Sequence, residues 1–216
     1  MINILIESSH LLCSNTYAIE ESRHAILIDV CESEQIYPHF LQKQILVDYI
    51  LLTHEHYDHI SGIHWWKKRF PSAILLCSGT CAEGIKNSKK NLSHYFDVFC
   101  EIQNWAPKQK NISHIDFIAE ADESFQGQKI FSWMGHTLQL SESPGHSPGS
   151  TLIILDERYL FSGDTLLEKT PISTALYKSG KQDYEKITLP FLRSLSKELM
   201  IYPGHFRPFP ISNAIF

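Results

Sequence analysis

The stretch Thr53-His54-Glu55-His56-Tyr57-Asp58-His59 constrains this chain more than any other. It puts three imidazoles and the Asp58 carboxylate within six residues, a costly cluster unless a positive charge lies between them. Protonated histidines would repel one another, and neutral ones would lack hydrogen-bond partners. A divalent ion removes the conflict, because neutral imidazole nitrogen and carboxylate oxygen are good ligands for zinc or iron. The apolar run Tyr49–Leu52 before the motif reads as a buried strand. Apolar residues at 60, 63, 66 and 70 after it suit one face of a helix. The cluster therefore belongs on a tight strand-to-helix loop. His54 and His56, two apart on extended chain, point the same way and can share one ion. Asp58 and His59 follow as the chain turns and can reach a second. Asp58 as a plain helix cap is the simpler alternative, but it leaves the three histidines unexplained.

A chain of 216 residues is long enough to bury a substantial core, and 1–216 is read as a single domain. A net charge of −5, with Lys67-Lys68-Arg69 as the only dense basic triplet, argues against electrostatically driven nucleic-acid binding. No apolar run has membrane-spanning length, and the start Met1–Glu7 reads as a strand, not a signal peptide. Five cysteines without a CxxC pair suit buried thiols in a reducing cytoplasm. Cys77 and Cys81 fit a strand end and a helix start.

Strands are expected at 2–6, 15–20, 24–30, 72–77, 112–118, 128–133, 136–142, 150–155, 158–162 and 199–202. Helices are expected at 33–42, 60–70, 79–86 and 182–195, the last kinked or restarted at Pro190. Residues 86–112 are the least regular, and their aromatics Tyr95, Phe96, Phe99 and Trp105 read as a cluster under a long loop, with a substrate-facing flap as the alternative. Strands followed by helices occur twice, which suggests two sheets packed face to face with helices outside.

Three later positions extend the motif. His146 lies between two Pro-Gly turns in Ser143–Ser150, Asp164 ends a strand in Phe161-Ser162-Gly163-Asp164, and His205 follows the last strand in Pro203-Gly204-His205. Each is unremarkable alone. With His54, His56, Asp58 and His59 they give seven candidate ligands, enough for two metals sharing a bridge. The remaining histidines, at 10, 24, 39, 64, 94, 114 and 136, show no ligand spacing. Tyr57 and Tyr177 are candidates for contacting substrate or for packing, and Ser147 and Cys31 read as structural.

The order His-x-His-x-Asp-His, then Gly-His, Gly-Asp and Gly-His, resembles the metallo-β-lactamase fold superfamily of hydrolases, over nearly the whole chain. The resemblance implies an α/β fold, a four-layer αββα sandwich with the site at one edge. It places His54, His56 and His146 on the first metal, Asp58, His59 and His205 on the second, and Asp164 across both. Asp58 and Asp164 are then the catalytic carboxylates. It implies two divalent ions, zinc first, with iron or manganese as alternatives, and a small-molecule substrate. Two ions about 3.5–4 Å apart lower the pKa of a shared water enough for it to attack a carbonyl or phosphoryl centre. His56 stands where the oxygen-reducing diiron branch would have Glu, and Asp164 fills a bridge that true β-lactamases lack. The set is most similar to glyoxalase II. However, that family's second helical domain and its Gly-Arg-Thr-Asp segment after the bridging aspartate have no counterpart here, and Cys31 replaces its usual glycine. Ester-type hydrolysis is therefore expected without glutathione specificity. A persulfide dioxygenase-like iron oxygenase and a phosphodiesterase are the alternatives.

Overall fold

The computed structural model describes residues 2–10, 12–102 and 114–216. Twelve strands form two sheets among them. The first runs β1 (Asn3–Ser8), β2 (Asn15–Glu21), β3 (His24–Ile28), β4 (Leu46–Leu51), β5 (Ile74–Ser78) and β6 (Glu123–Phe125), in spatial order β1-β2-β3-β4-β5-β6. The second holds β7 (Gln128–Trp133), β8 (His136–Glu142), β9 (Thr151–Leu155), β10 (Tyr159–Gly163), β11 (Met200–Pro203) and β12 (Phe209–Pro210), in reverse spatial order. The helices are α1 (Ile36–Lys43), α2 (Tyr57–Ile60), α3 (Ile63–Arg69), α4 (Gly79–Ile85), α5 (Phe96–Ile102), α6 (Gly180–Asp183) and α7 (Leu189–Ser194).

Alternation along the strands builds the four layers, because successive strand residues face opposite sides. Ile26 and Ile28 of β3 and Ile153 and Leu155 of β9 point into a shared interior with Tyr17, Leu51, Leu140 and Phe161. Their neighbours face outward onto helices: Leu27 and Ile50 meet Phe40, Ile60 and Trp66, while Leu152 and Ile154 meet Leu192. Strands covered on both faces explain the near-continuous apolar runs.

Strand direction then positions the site. β3, β4, β5 and β6 pair in parallel, so the ends of β3 and β4 open onto one edge. β10 and β11 are also parallel, while β9 is antiparallel to β10. The residues after β10 and β11 and those before β9 therefore reach a common edge. Two backbone bonds join the sheets there, Thr151 N–H to the Thr53 carbonyl (2.7 Å) and Asn15 N–H to the Gly204 carbonyl (2.7 Å).

Two local expectations need correction, the expected break of the last helix at Pro190 takes a specific form, and two short strands were not foreseen. The strand expected at 112–118 is irregular chain over 114–118, and 112–113 lie outside the described residues. Its polar groups are taken by side chains instead of a ladder: Phe117 N–H donates to Ser93 Oγ (3.0 Å) and its carbonyl accepts from Asn91 Nδ2 (2.8 Å). The helix expected at 60–70 is two pieces, because Gly62 N–H leaves to bond the Val30 carbonyl (2.8 Å). The last helix contains a π-helical turn over Tyr184–Thr188 immediately before α7, whose first turn holds Pro190. A widened turn there relieves the clash between the proline ring and the carbonyl four residues back. β6 and β12 were not anticipated, since strands of three and two residues carry no period.

Candidate metal centre

The first four site residues come from one loop. After β4, Thr53 N–H and Thr53 Oγ1 both donate to the Asp29 carboxylate (2.8 and 2.6 Å), which locks the chain as it leaves the sheet. His54 follows, His56 is extended at φ −64°, and the single turn α2 swings Asp58 and His59 back beneath it. Asp58 lies in the first turn of α2, whose N-cap is His56, so it is not the cap of that helix. Its carboxylate Oδ2 lies 3.4 Å from His59 Nε2 and 3.4 Å from His205 Nε2.

The second sheet completes two groups. His54, His56 and His146 present ligand-type atoms within 4.8 Å of one another, as do Asp58, His59 and His205. His146 Nε2 stands 3.1 Å from His56 Nδ1. Asp164 lies between the groups: Oδ1 is 3.5 Å from His59 Nε2, and Oδ2 is 3.5 Å from His146 Nε2 and 3.4 Å from His205 Nε2. All seven predicted site residues therefore converge. The approach depends on two glycines. Gly163 has φ +49°, and a Cβ there would overlap the Thr53 hydroxyl; a Cβ on Gly204 would overlap Asp164 and stand 2.7 Å from the His59 ring.

The side chains fit a pair of cations. His54 Nε2, His59 Nε2 and Asp164 Oδ1 are buried without a hydrogen-bond partner, a state that is costly unless something else satisfies them. Burial, with the neighbouring imidazoles, holds His54 well below the ordinary range and His56 at about 3, so both are neutral donors. Burial likewise lowers His146. Burial would raise Asp58 and Asp164, but the surrounding imidazoles outweigh it and keep both ionised. Against the same burial, those carboxylates push His59 up to about 9 and His205 to about 11. Two clustered carboxylates that draw protons onto neighbouring imidazoles form an acceptor set for positive charge.

Several supporting residues were not anticipated. Asp29 Oδ2 is 2.9 Å from His59 Nδ1 and fixes that ring. Asp29 also falls within ligand distance of His54 and His59, but its oxygens are committed to Thr53 and His59, so it orients and does not ligate. The available signal was an aspartate ending the apolar run Ala25–Ile28 on the same edge as the motif. Glu55, between two histidines, is buried and accepts from Ser147 Oγ (2.9 Å) and Gly149 N–H (3.3 Å), tying the motif to the His146 loop. Ser147 is thus a tether, and Cys31 Sγ contacts the Asp58 carbonyl at 3.0 Å. Tyr57 packs against Phe96 and Phe117, with ring centroids 5.0 and 5.5 Å away. Tyr177 lines a cavity of about 290 Å³ walled by His56 and His146, with Leu92, Leu176, Lys89 and Lys90 around it. Two histidines dismissed on spacing, His94 and His114, meet at Asp116. Their partnership spans a loop and leaves no local pattern.

An αββα sandwich with two His/Asp clusters at the open strand edge is the framework of a metal-binding protein. The chain belongs to the Metallo-beta-lactamase superfamily, whose profile matches residues 12–205. It is 27% identical over 198 residues to a hydroxyacylglutathione hydrolase of Bartonella henselae, covering 91% of this chain and 63% of that protein. The chain thus spans less than two thirds of that relative's length. Its fold is similar to BLEG-1, a B3 metallo-beta-lactamase, with TM-score 0.75 and 22% identity over 99% of this chain and 95% of that one. It is also similar to ETHE1 from Myxococcus xanthus, with TM-score 0.68 and 20% identity over 98% and 80% of the two chains. No helix among the described residues is long and apolar enough to cross a membrane.

Proposed function

We propose that this chain hydrolyses an ester-type bond, a thioester, ester or lactone of a small molecule, with two divalent ions, zinc first and iron or manganese as alternatives. His54, His56 and His146 would hold one ion and Asp58, His59 and His205 the other, with the Asp164 carboxylate within reach of both groups. The observation that carries the reading is the position of Asp164, whose two oxygens face histidines of both groups. When bound, such an ion pair supplies Lewis acidity and brings the pKa of a water from near 16 towards neutrality. The protein's own part is positioning. Asp29 holds the His59 ring, Glu55 holds the His146 loop, and the cavity beside His56 and His146 accepts the acyl group away from bulk water. Hydroxyacylglutathione hydrolases among the relatives support thioester chemistry. Free thiols at all five cysteines are in keeping with a reducing, cytoplasmic setting.

The test is metal analysis of protein purified without added metal, paired with thioester, lactone, phosphodiester, β-lactam and persulfide substrates. Two ions per chain and turnover of a thioester or lactone are expected. One iron per chain with oxygen uptake on persulfide would make the protein an oxygenase, and a preference for phosphodiesters would make it a phosphodiesterase. Weak turnover of lactoylglutathione is expected. A kcat/KM of roughly 10⁶ M⁻¹s⁻¹ or more on it would show that the unusual segment after Asp164 leaves glutathione recognition intact.

A further inference from the structure

A second cluster of metal-ligating side chains lies away from the principal centre. His94, in the 3-10 turn Ser93–Tyr95, places Nδ1 2.9 Å from Asp116 Oδ1. His114 places Nε2 3.2 Å from Asp116 Oδ2. The two imidazoles meet edge to face with centroids 4.6 Å apart. Asp97, in the first turn of α5, brings an oxygen within 4.0 Å of His114 Nδ1. A tetrahedral zinc site with ligand bonds near 2.0–2.1 Å has ligand-to-ligand edges of about 3.3 Å. The carboxylate–imidazole separations are already close to that edge.

Among the described residues, the cluster differs from the histidine–carboxylate contacts outside the principal centre. His24 meets Asp48 and His136 meets Asp156, each with one imidazole on its carboxylate, as ordinary ion pairs do. The 94/114/116 group gathers two imidazoles on one carboxylate and brings its three ligand atoms within 4.8 Å of one another. It also stands on a rigid base, because Asn91 and Ser93 side chains bond both the carbonyl and the N–H of Phe117. Side-chain exposures of 32% for His94 and 49% for His114 let an ion enter directly from solvent.

We propose that His94, His114 and Asp116 form a further divalent-metal site, suited to zinc-type ions, that clips the 93–97 turn to the 114–117 stretch. Water or Asp97 completes the coordination. The clip has a route to the principal centre. Phe96 and Phe117, on its two sides, carry the ring of Tyr57, which lies between His56 and Asp58. An ion at the clip stiffens the wall on which the second half of the motif rests.

The test follows the imidazole nitrogens by NMR while zinc is added to protein whose principal centre is already loaded. The ring resonances of His94 and His114 are expected to move together and saturate near one added equivalent. In His114→Ala and Asp116→Ala the affinity for this added ion is expected to fall at least about tenfold, with the circular dichroism spectrum unchanged. The proposal is overturned if the two histidines do not respond together, if they respond only to a large excess of zinc, or if both variants keep the affinity. Should a variant fail to fold, the joint response of His94 and His114 in the unmodified protein decides. The ligands of this site are separate residues from the principal centre, so failure here leaves the hydrolase reading standing.

Discussion

The two sheets each contribute to the principal centre, but in opposite ways. The first supplies four groups, His54, His56, Asp58 and His59, from the loop after β4 and the single turn α2. The second supplies three, His146, Asp164 and His205, from three separate loops that meet only because β9 is antiparallel and β11 parallel to β10. A dense local motif can be built by a strand and one turn of helix. A dispersed set needs the topology of a whole sheet, and each member depends on contacts that hold its loop in place. Residues of the first kind announce themselves in sequence, whereas those of the second kind have meaning only once assembled.

The sharpest way to break this comparison is at Asp164, the dispersed residue that faces both groups. Asp164→Asn keeps the shape but removes a negative charge and weakens one ligand arm. Turnover is expected to fall at least about a hundredfold, the scale of losing one strong electrostatic contact in an active site. A purified variant with full metal content and near-normal turnover would reduce Asp164 to a turn residue. His59→Ala probes the local motif. It is expected to lower metal content towards one ion per chain with the fold intact, since the buried core clusters contain no part of His59. Unchanged stoichiometry by elemental analysis would remove the second group.

Glu55 tests the joint between the two sets. Glu55→Ala abandons the Ser147 hydroxyl and Gly149 N–H in a buried site and frees the His146 loop. Metal affinity at the His54/His56/His146 group is expected to drop about 10–100-fold, as for other residues that orient a ligand from behind. Glu55→Gln can still accept one bond and donate the other, so it should recover most of the loss. Chelator competition measures both, and equal affinity in the alanine variant would show that the loops hold themselves. The smallest effect is expected far from the site. Lys67 Nζ and Leu75 N–H both bond Asp122 (2.7 Å each). Burial alone would raise the Asp122 carboxyl, but these donors outweigh it and hold it below the usual carboxylate range. A depressed carboxyl adds stability above its unfolded pKa near 3.9, and that share fades as pH falls through the folded value. Asp122→Ala is expected to cost about 0.5–1 kcal/mol near pH 7 and progressively less in acid, by denaturant titration. A cost that stayed constant down to pH 2 would assign it to packing.

The sequence showed the candidate ligands more readily than the means of holding them. The seven site residues carry chemistry that is expensive without a metal, so type and order sufficed. Asp29, Thr53 and Glu55 were overlooked because one buried carboxylate or hydroxyl looks like any other polar residue until its partners, 24 to 94 positions away, are known. The same limit explains the strand wrongly expected at 112–118. Alternating apolar residues in Ile115, Phe117 and Ala119 mimic a ladder, yet the backbone of Phe117 is claimed by Asn91 and Ser93. His94 and His114 were dismissed for a related reason, since spacing says nothing about residues that meet across a loop.

The bond from Asn15 N–H to the Gly204 carbonyl has a consequence for how the protein comes into being. It joins positions 189 residues apart in sequence, and the neighbouring bridge from Ser14 to His205 spans a similar length. Closing so long a stretch of chain carries a loop-entropy cost that nearby contacts do not. On the two-ion reading, the His54/His56 side would be complete once the His146 loop is placed, but the Asp58/His59 side would wait for the loop after β11 to dock against the β1–β2 hairpin. On the two-ion reading, uptake of the second ion would report how far assembly has gone. A chain caught early in refolding would carry metal at one end of its pocket and an unfinished cup at the other.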